Sequence, residues 1–249
     1  RTQAASPTII VADIDGVIDP VMERYVSRIL DKAKDDGANL IIFVIDTPGG
    51  QFAMTRDIVG DILDSPVPVV TFVGPFGARA ASAGTFISAA GGIAAMAPST
   101  NIGAASPVGS QGEDLGDTLK RKATEDVAAL LRSVADLRGR NSDALEKTVT
   151  SATAYSSQEA LDLGVIDLIA TDVGELIELL DGRTIATSGG DVTLVTAGPT
   201  IRNEGMSFVE IILSFLATPD VVFLFFSLGG LALVVELWSP GITGPGVVG

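Results

Sequence analysis

The sequence predicts an α/β fold with parallel strands, and three observations predict it. Short apolar runs read as strands buried on both faces. These runs alternate with segments of helical period. Caps, prolines and glycines punctuate the boundaries where a strand must hand over to a helix.

In chain order, Thr8 to Ala12 is the first buried strand. Asp19 and Pro20 supply the N-cap and first turn of a helix that ends at Gly37, with an apolar stripe of Val21, Tyr25, Ile29 and Ala33. Leu40 to Ile45 is a second strand, broken by Asp46-Thr47-Pro48-Gly49-Gly50, and an amphipathic helix follows from about Phe52 to Leu63. Val67 to Val73 is a third strand, Ala83 to Ala90 a buried helix, and Gly92 to Ala97 a fourth, short strand. A helix is expected from about Ala123 to Leu137. Ser156-Ser157-Gln158-Glu159 is a capping box opening a helix closed by Gly164, and Val165 to Ile169 is a further strand.

Apolar residues make up 47% of the 249-residue chain, and the mean hydropathy is +0.44, high for a soluble domain. The excess is concentrated at the C-terminus. No Lys or Arg follows Arg202, and Val221 to Val235 is a mainly apolar run between Asp220 and Glu236. Two regions are therefore expected: a globular domain over 1–202, and an interfacial helix leading into a membrane segment over 203–249, with Trp238 at interfacial depth. A buried core helix is the alternative for that run. The net charge of −15 argues against nucleic acid as a partner, because phosphates demand a basic surface. The N-terminal Arg1-Thr2-Gln3-Ala4-Ala5-Ser6 carries no apolar stretch of the kind a secretory signal needs.

The chain contains no histidine and no cysteine. Yet Ala80-Ala81-Ser82-Ala83-Gly84-Thr85 places a serine among small residues just before an apolar helix, as hydrolases place a nucleophile. Without imidazole or thiol, a lysine amine or a carboxylate must take the hydroxyl proton. Lys32 and Lys34 fall on the wet face of an amphipathic helix, and Lys147 stands among charges. Lys120 and Lys122 remain, at the expected start of a helix after Gly109-Ser110-Gln111-Gly112-Glu113-Asp114. There the positive end of the macrodipole and burial would bring an amine toward the roughly 7 to 8 that a general base needs. Two glycine-rich or small-residue turns can supply oxyanion amides: Pro48-Gly49-Gly50, and Ser82-Ala83 at a helix start. The plain alternatives are a strand-ending turn for the first and a helix cap for the second.

Ile45-Asp46-Thr47-Pro48-Gly49-Gly50, Ala80-Ala81-Ser82-Ala83-Gly84-Thr85, Met96-Ala97-Pro98-Ser99-Thr100-Asn101-Ile102-Gly103-Ala104 and Gly139-Arg140-Asn141 resemble the motif series of NfeD-type membrane-bound serine proteases. These are relatives of signal peptide peptidase A in the ClpP/crotonase superfamily. The resemblance implies a ClpP/crotonase-like domain and a Ser-Lys dyad, with Ser82 as nucleophile and Lys122 as base. It further implies that the Gly50 and Ala83 amides form the oxyanion hole, and that no metal or organic cofactor takes part. Also implied are a catalytic domain outside the cytoplasm, further membrane helices and a small β-barrel, a homo-oligomer, and stomatin-like (SPFH) membrane proteins as partners or substrates. Three other readings fit parts of the sequence. Asp13 and Asp15 fit the first motif of haloacid dehalogenase-like phosphatases, but Asp167 and Asp172 make a poor metal-holding pair. A crotonase-like acyl-CoA enzyme would not call for this serine and lysine together. A catalytically silent or regulated scaffold capping a stomatin-type assembly is the non-enzymatic reading.

Overall fold

The computed structural model describes residues 6–107 and 116–238; residues 108–115, which include the Gly109–Asp114 stretch, the N-terminal residues 1–5 and the C-terminal residues 239–249 lie outside the described residues. The chain divides into two compact units, residues 1–205 and 206–249.

In the first unit, β1 (Thr8–Asp15), α1 (Pro20–Asp35), β2 (Leu40–Asp46), α2 (Phe52–Asp64) and β3 (Val69–Val73) alternate as expected. Asp19 caps α1 by accepting hydrogen bonds from the Val21 and Met22 amides, and Pro20 occupies its first turn, where the missing N–H costs nothing. Next come β4 (Arg79–Ala81), α3 (Ala83–Ala90), β5 (Ile93–Met96) and β6 (Asn101–Gly103). These are followed by α4 (Asp117–Arg138), α5 (Ser142–Thr150), β7 (Ala154–Ser156), α6 (Ser157–Asp162) and β8 (Leu168–Ile169). The unit closes with α7 (Val173–Leu180), β9 (Thr184–Thr187), β10 (Gly190–Thr193) and β11 (Thr200–Asn203).

The main sheet has the order β11-β1-β2-β3-β5-β8 and is parallel throughout. Its central strands are apolar on both faces because helices cover both; β3 is buried along its whole length. Ile9, Leu40, Ile42 and Phe72 pack with Leu176 and Leu180 of α7. Each such side chain, removed from water, contributes about 1.5–3 kcal/mol.

A second, three-stranded sheet has the order β4-β6-β7. Sequence periodicity does not reveal it, because each of its strands is only three residues long. Two further differences have physical causes. The fourth helix begins at Asp117 rather than Ala123, with an acidic residue in its first turn where the helix dipole favours one. The first unit also runs past Arg202: β11 pairs Asn203 with Val11, the Glu204 amide donates to the Val11 carbonyl, and Arg28 donates to the Gly205 carbonyl.

In the second unit, α8 (Phe208–Leu216) opens with a capping box between Ser207 and Glu210, and α9 (Pro219–Trp238) follows. Among the described residues no single helix is long and apolar enough to cross a membrane. Phe208–Leu216 and Asp220–Val235 reach that length and character only as a pair, bent by 65°. The expected membrane segment from Val221 to Trp238 falls within α9.

Candidate active site

The D-T-P-G-G segment leaves the end of β2 as a turn tied by its own threonine. Thr47, fully buried, donates from Oγ1 to the Gly16 carbonyl at 2.6 Å and accepts the Gly49 amide at 3.0 Å. The backbone then pairs sideways. Ile18 bridges Gly50, using the Gly49 carbonyl and the Gln51 amide, so the Gly50 amide is left outside the pairing. Gly50 tolerates no side chain, since a Cβ there would lie 2.2 Å from the Ile18 carbonyl oxygen.

β4 is stitched to the same turn. Thr47 donates its amide to the Arg79 carbonyl at 2.8 Å, and the Ala81 amide donates to the Thr47 carbonyl at 3.1 Å. The Arg79 amide in turn donates to Asp46 Oδ1 at 3.1 Å. At the next residue the chain bends sharply: Ser82 has φ 50° and ψ −111°, a conformation glycine adopts freely and serine does not. Such a backbone costs on the order of 1–3 kcal/mol and persists only where its surroundings fix it. Here the Ser82 amide donates to the Gly103 carbonyl at 2.9 Å, and Thr85 Oγ1 donates to the Ala80 and Gly103 carbonyls. Gly103 itself has φ 131° and would clash with the Thr153 carbonyl if it carried a Cβ.

Ser82 stands at the N-cap position of α3, but its hydroxyl makes no cap hydrogen bond and so is not spent on holding the helix end. Ala83, at the first position of α3, has no intrahelical acceptor for its amide. Among the described residues no hydrogen bond engages the Gly50 or the Ala83 amide, and the positive end of the α3 dipole lies at Ala83. Phe52 and Phe86 meet edge to face at 5.9 Å, which packs the start of α2 onto α3.

The far end of α3 is held by two guanidinium groups. Arg140, with a side chain 1% exposed, donates to the Ala89 and Gly91 carbonyls and pairs with Asp167 at 2.6 Å. Arg138 donates to the Ala90 carbonyl at 2.8 Å; burial, and then Arg140 beside it, push its pKa down. The Gly139-Arg140-Asn141 motif is therefore architectural: Gly139 is the left-handed C-cap of α4, Arg140 the clamp, and Asn141 the N-cap of α5.

Lys122 is the sixth residue of α4, exposed, and not at the helix start. Among the described residues no hydrogen bond joins it to Ser82. Catalytic hydrogen bonds in unliganded enzymes are often long and tighten only with substrate bound. Asp13 and Asp15 of the phosphatase-like reading stand largely exposed on β1, yet partial desolvation of the Asp13 carboxyl by its neighbours, and then the Asp15 charge, push the Asp13 pKa up. Sequence reasoning missed Thr47 as the turn's organiser, although a threonine hydroxyl bonding two residues onward is a known turn device. Gly103 belongs to the Met96–Ala104 motif, but its role as acceptor for the Ser82 amide needs the fold to be seen.

With this geometry in view, residues 8–181 match the family described as NfeD1b, N-terminal domain. The chain belongs to that family. It is 34% identical to the membrane-bound protease PH1510 of Pyrococcus horikoshii, over 98% of this chain and 56% of that protein. It is 29% identical to the membrane protein NfeD1b of Bacillus subtilis, over 100% of this chain and 55% of that one. The chain thus spans just over half the length of these curated relatives. Among solved structures, it resembles a lysine-to-alanine mutant of the 1510-N membrane-bound stomatin-specific protease in complex with a substrate peptide. That match has a TM-score of 0.78 at 33% identity, covering 85% of this chain and 98% of that one. ClpP1 of Listeria monocytogenes shares the fold, with a TM-score of 0.53 at 21% identity, over 67% of this chain and 94% of that one. The α/β domain of this family member is thus ClpP-like.

Proposed function

We propose that this family member is the catalytic domain of a membrane-associated serine endopeptidase with a Ser-Lys dyad. The observation that carries the reading is Ser82, strained at the head of α3 with its hydroxyl unused as a cap, together with the Gly50 and Ala83 amides, which no hydrogen bond engages among the described residues. Ser82 Oγ attacks the peptide carbonyl carbon while the neutral Lys122 amine takes the hydroxyl proton. The Gly50 and Ala83 amides hold the oxyanion. As the tetrahedral intermediate collapses, the C–N bond breaks and the lysine returns the proton to the departing amine. Water, activated by the same amine, then hydrolyses the acyl-enzyme.

The choice of base rests on elimination and on spacing. The chain has no imidazole or thiol. In 1510-N, a serine and a lysine were each replaced by alanine; their separation is one residue longer than from Ser82 to Lys122 and three longer than from Ser82 to Lys120. The substrate we infer is an apolar segment of a stomatin-like membrane protein. Val17, beside the Ile18–Gly50 bridge, and Phe76, just before β4, are 58% and 60% exposed and offer apolar contacts. The bent α8–α9 pair supports membrane attachment at the C-terminal side. An extracytoplasmic catalytic domain and a homo-oligomer complete the proposal. The second reading, a silent or regulated scaffold in a stomatin assembly, draws support from the unmade bond between Ser82 and Lys122.

The test is cleavage of an apolar peptide by the 249-residue chain and by its Ser82→Ala variant. Cleavage lost in the variant supports the protease. Equal turnover by both removes it, and no turnover by either favours the scaffold.

A further inference from the structure

From Asp117 to Asp126 no residue of α4 is buried; burial begins at Val127. Among the described residues, the fully buried positions of α4 thus all lie beyond Lys122. Asp126 lies four residues beyond Lys122, one turn along the same face. Arg56 Nη2 donates to Asp126 Oδ2 at 2.9 Å. The same guanidinium lies over the Phe52 ring, 5.2 Å from its centroid, and Phe52 meets Phe86 edge to face. Phe86 is four residues into the sequence from Ser82 and 2% exposed. A continuous path of contacts thus runs from the face of α4 that carries Lys122 to the helix headed by Ser82.

We propose that Arg56 is a positioning residue: its ion pair with Asp126 latches the first half of α4 so that Lys122 is presented to Ser82. This rests on the dyad reading above. The pair's side chains are 50% and 66% exposed, a setting in which ion pairs add little to global stability. Its effect therefore falls on the position of α4 rather than on the fold. The pairing also occupies Asp126, which at its i, i+4 spacing can otherwise pair with Lys122 and hold it away from Ser82.

The experiment measures kcat and KM of the 249-residue chain on an apolar peptide, with circular dichroism to confirm folding. Arg56→Gln should lower kcat about tenfold with KM little changed. Exchanging the charges, Arg56→Asp with Asp126→Arg, should recover most of that loss. Arg132→Gln breaks another ion pair of α4, to Glu146, and should leave kcat as it was. Wild-type kcat in Arg56→Gln, or a folded charge exchange that recovers nothing, overturns the latch alone. A wild-type chain that does not cleave overturns the dyad reading and the latch with it.

Discussion

Gly49 and Ser82 are in such close contact that a Cβ on the glycine would stand 2.7 Å from the Ser82 Cβ. The turn that carries one candidate oxyanion amide and the bend that carries the candidate nucleophile are thus locked together by the absence of a single side chain. Gly49 also has φ 115°, which strains any replacement. Gly49→Ala should therefore leave a folded protein, destabilised by about 1–3 kcal/mol. Its turnover should fall about 10²-fold through displacement of the reacting groups. Peptide-cleavage rates together with urea denaturation check both halves.

Thr47 organises the same turn from beneath. Thr47→Val keeps the shape but removes the bonds to the Gly16 carbonyl and the Gly49 amide. Leaving those groups unpaired in a buried site should cost about 1–3 kcal/mol. The loosened Gly49-Gly50 peptide should lower kcat more than it changes KM. Steady-state kinetics beside thermal melting will show whether the two losses travel together.

The Arg140 clamp makes the opposite kind of prediction, large in stability. Arg140→Leu strands Asp167 and the Ala89 and Gly91 carbonyls at the end of α3, and should cost about 3–5 kcal/mol. Denaturant unfolding measures it; a loss below about 1 kcal/mol would mean the clamp is not holding the helix.

Much of this was legible from residues alone. Asp19-Pro20 announced α1, the Ser156–Glu159 capping box announced α6, and the small-residue run around Ser82 announced the start of α3. The β4-β6-β7 sheet was not, because three-residue strands carry no measurable period and their partners lie far along the chain. The start of α4 was misjudged for a related reason. Its exposed first turns lack an apolar stripe, so only from Val127 onward does the pattern show a face toward the core. The Arg140 clamp was hidden because a basic residue after a helix-ending glycine reads as surface until the carbonyls of α3 are placed around it.

Asp13 supplies a pH test. Its pKa is raised, first by partial desolvation and then by Asp15, so the ionised carboxylate is disfavoured in the fold. Stability is withheld at pH values above the raised pKa and regained as pH falls through it. Asp13→Asn should raise the melting temperature at pH 7, and that gain should shrink as pH drops below the ordinary carboxylate range. A gain that persists unchanged in acid would assign it to something other than charge.

The choice of base is tested by paired substitutions. Lys122→Ala should lose nearly all cleavage and Lys120→Ala should keep most of it, with both variants folded; the reverse result moves the dyad by two residues.

The central claim is that Ser82 is a nucleophile activated by Lys122. It is tested most directly by reacting the chain with a fluorophosphonate and locating the adduct by peptide mass spectrometry. The account predicts one adduct, on the peptide containing Ser82, absent in Ser82→Ala and formed far more slowly in Lys122→Ala. An unlabelled wild-type chain, an adduct elsewhere, or labelling at full rate without Lys122 would contradict it.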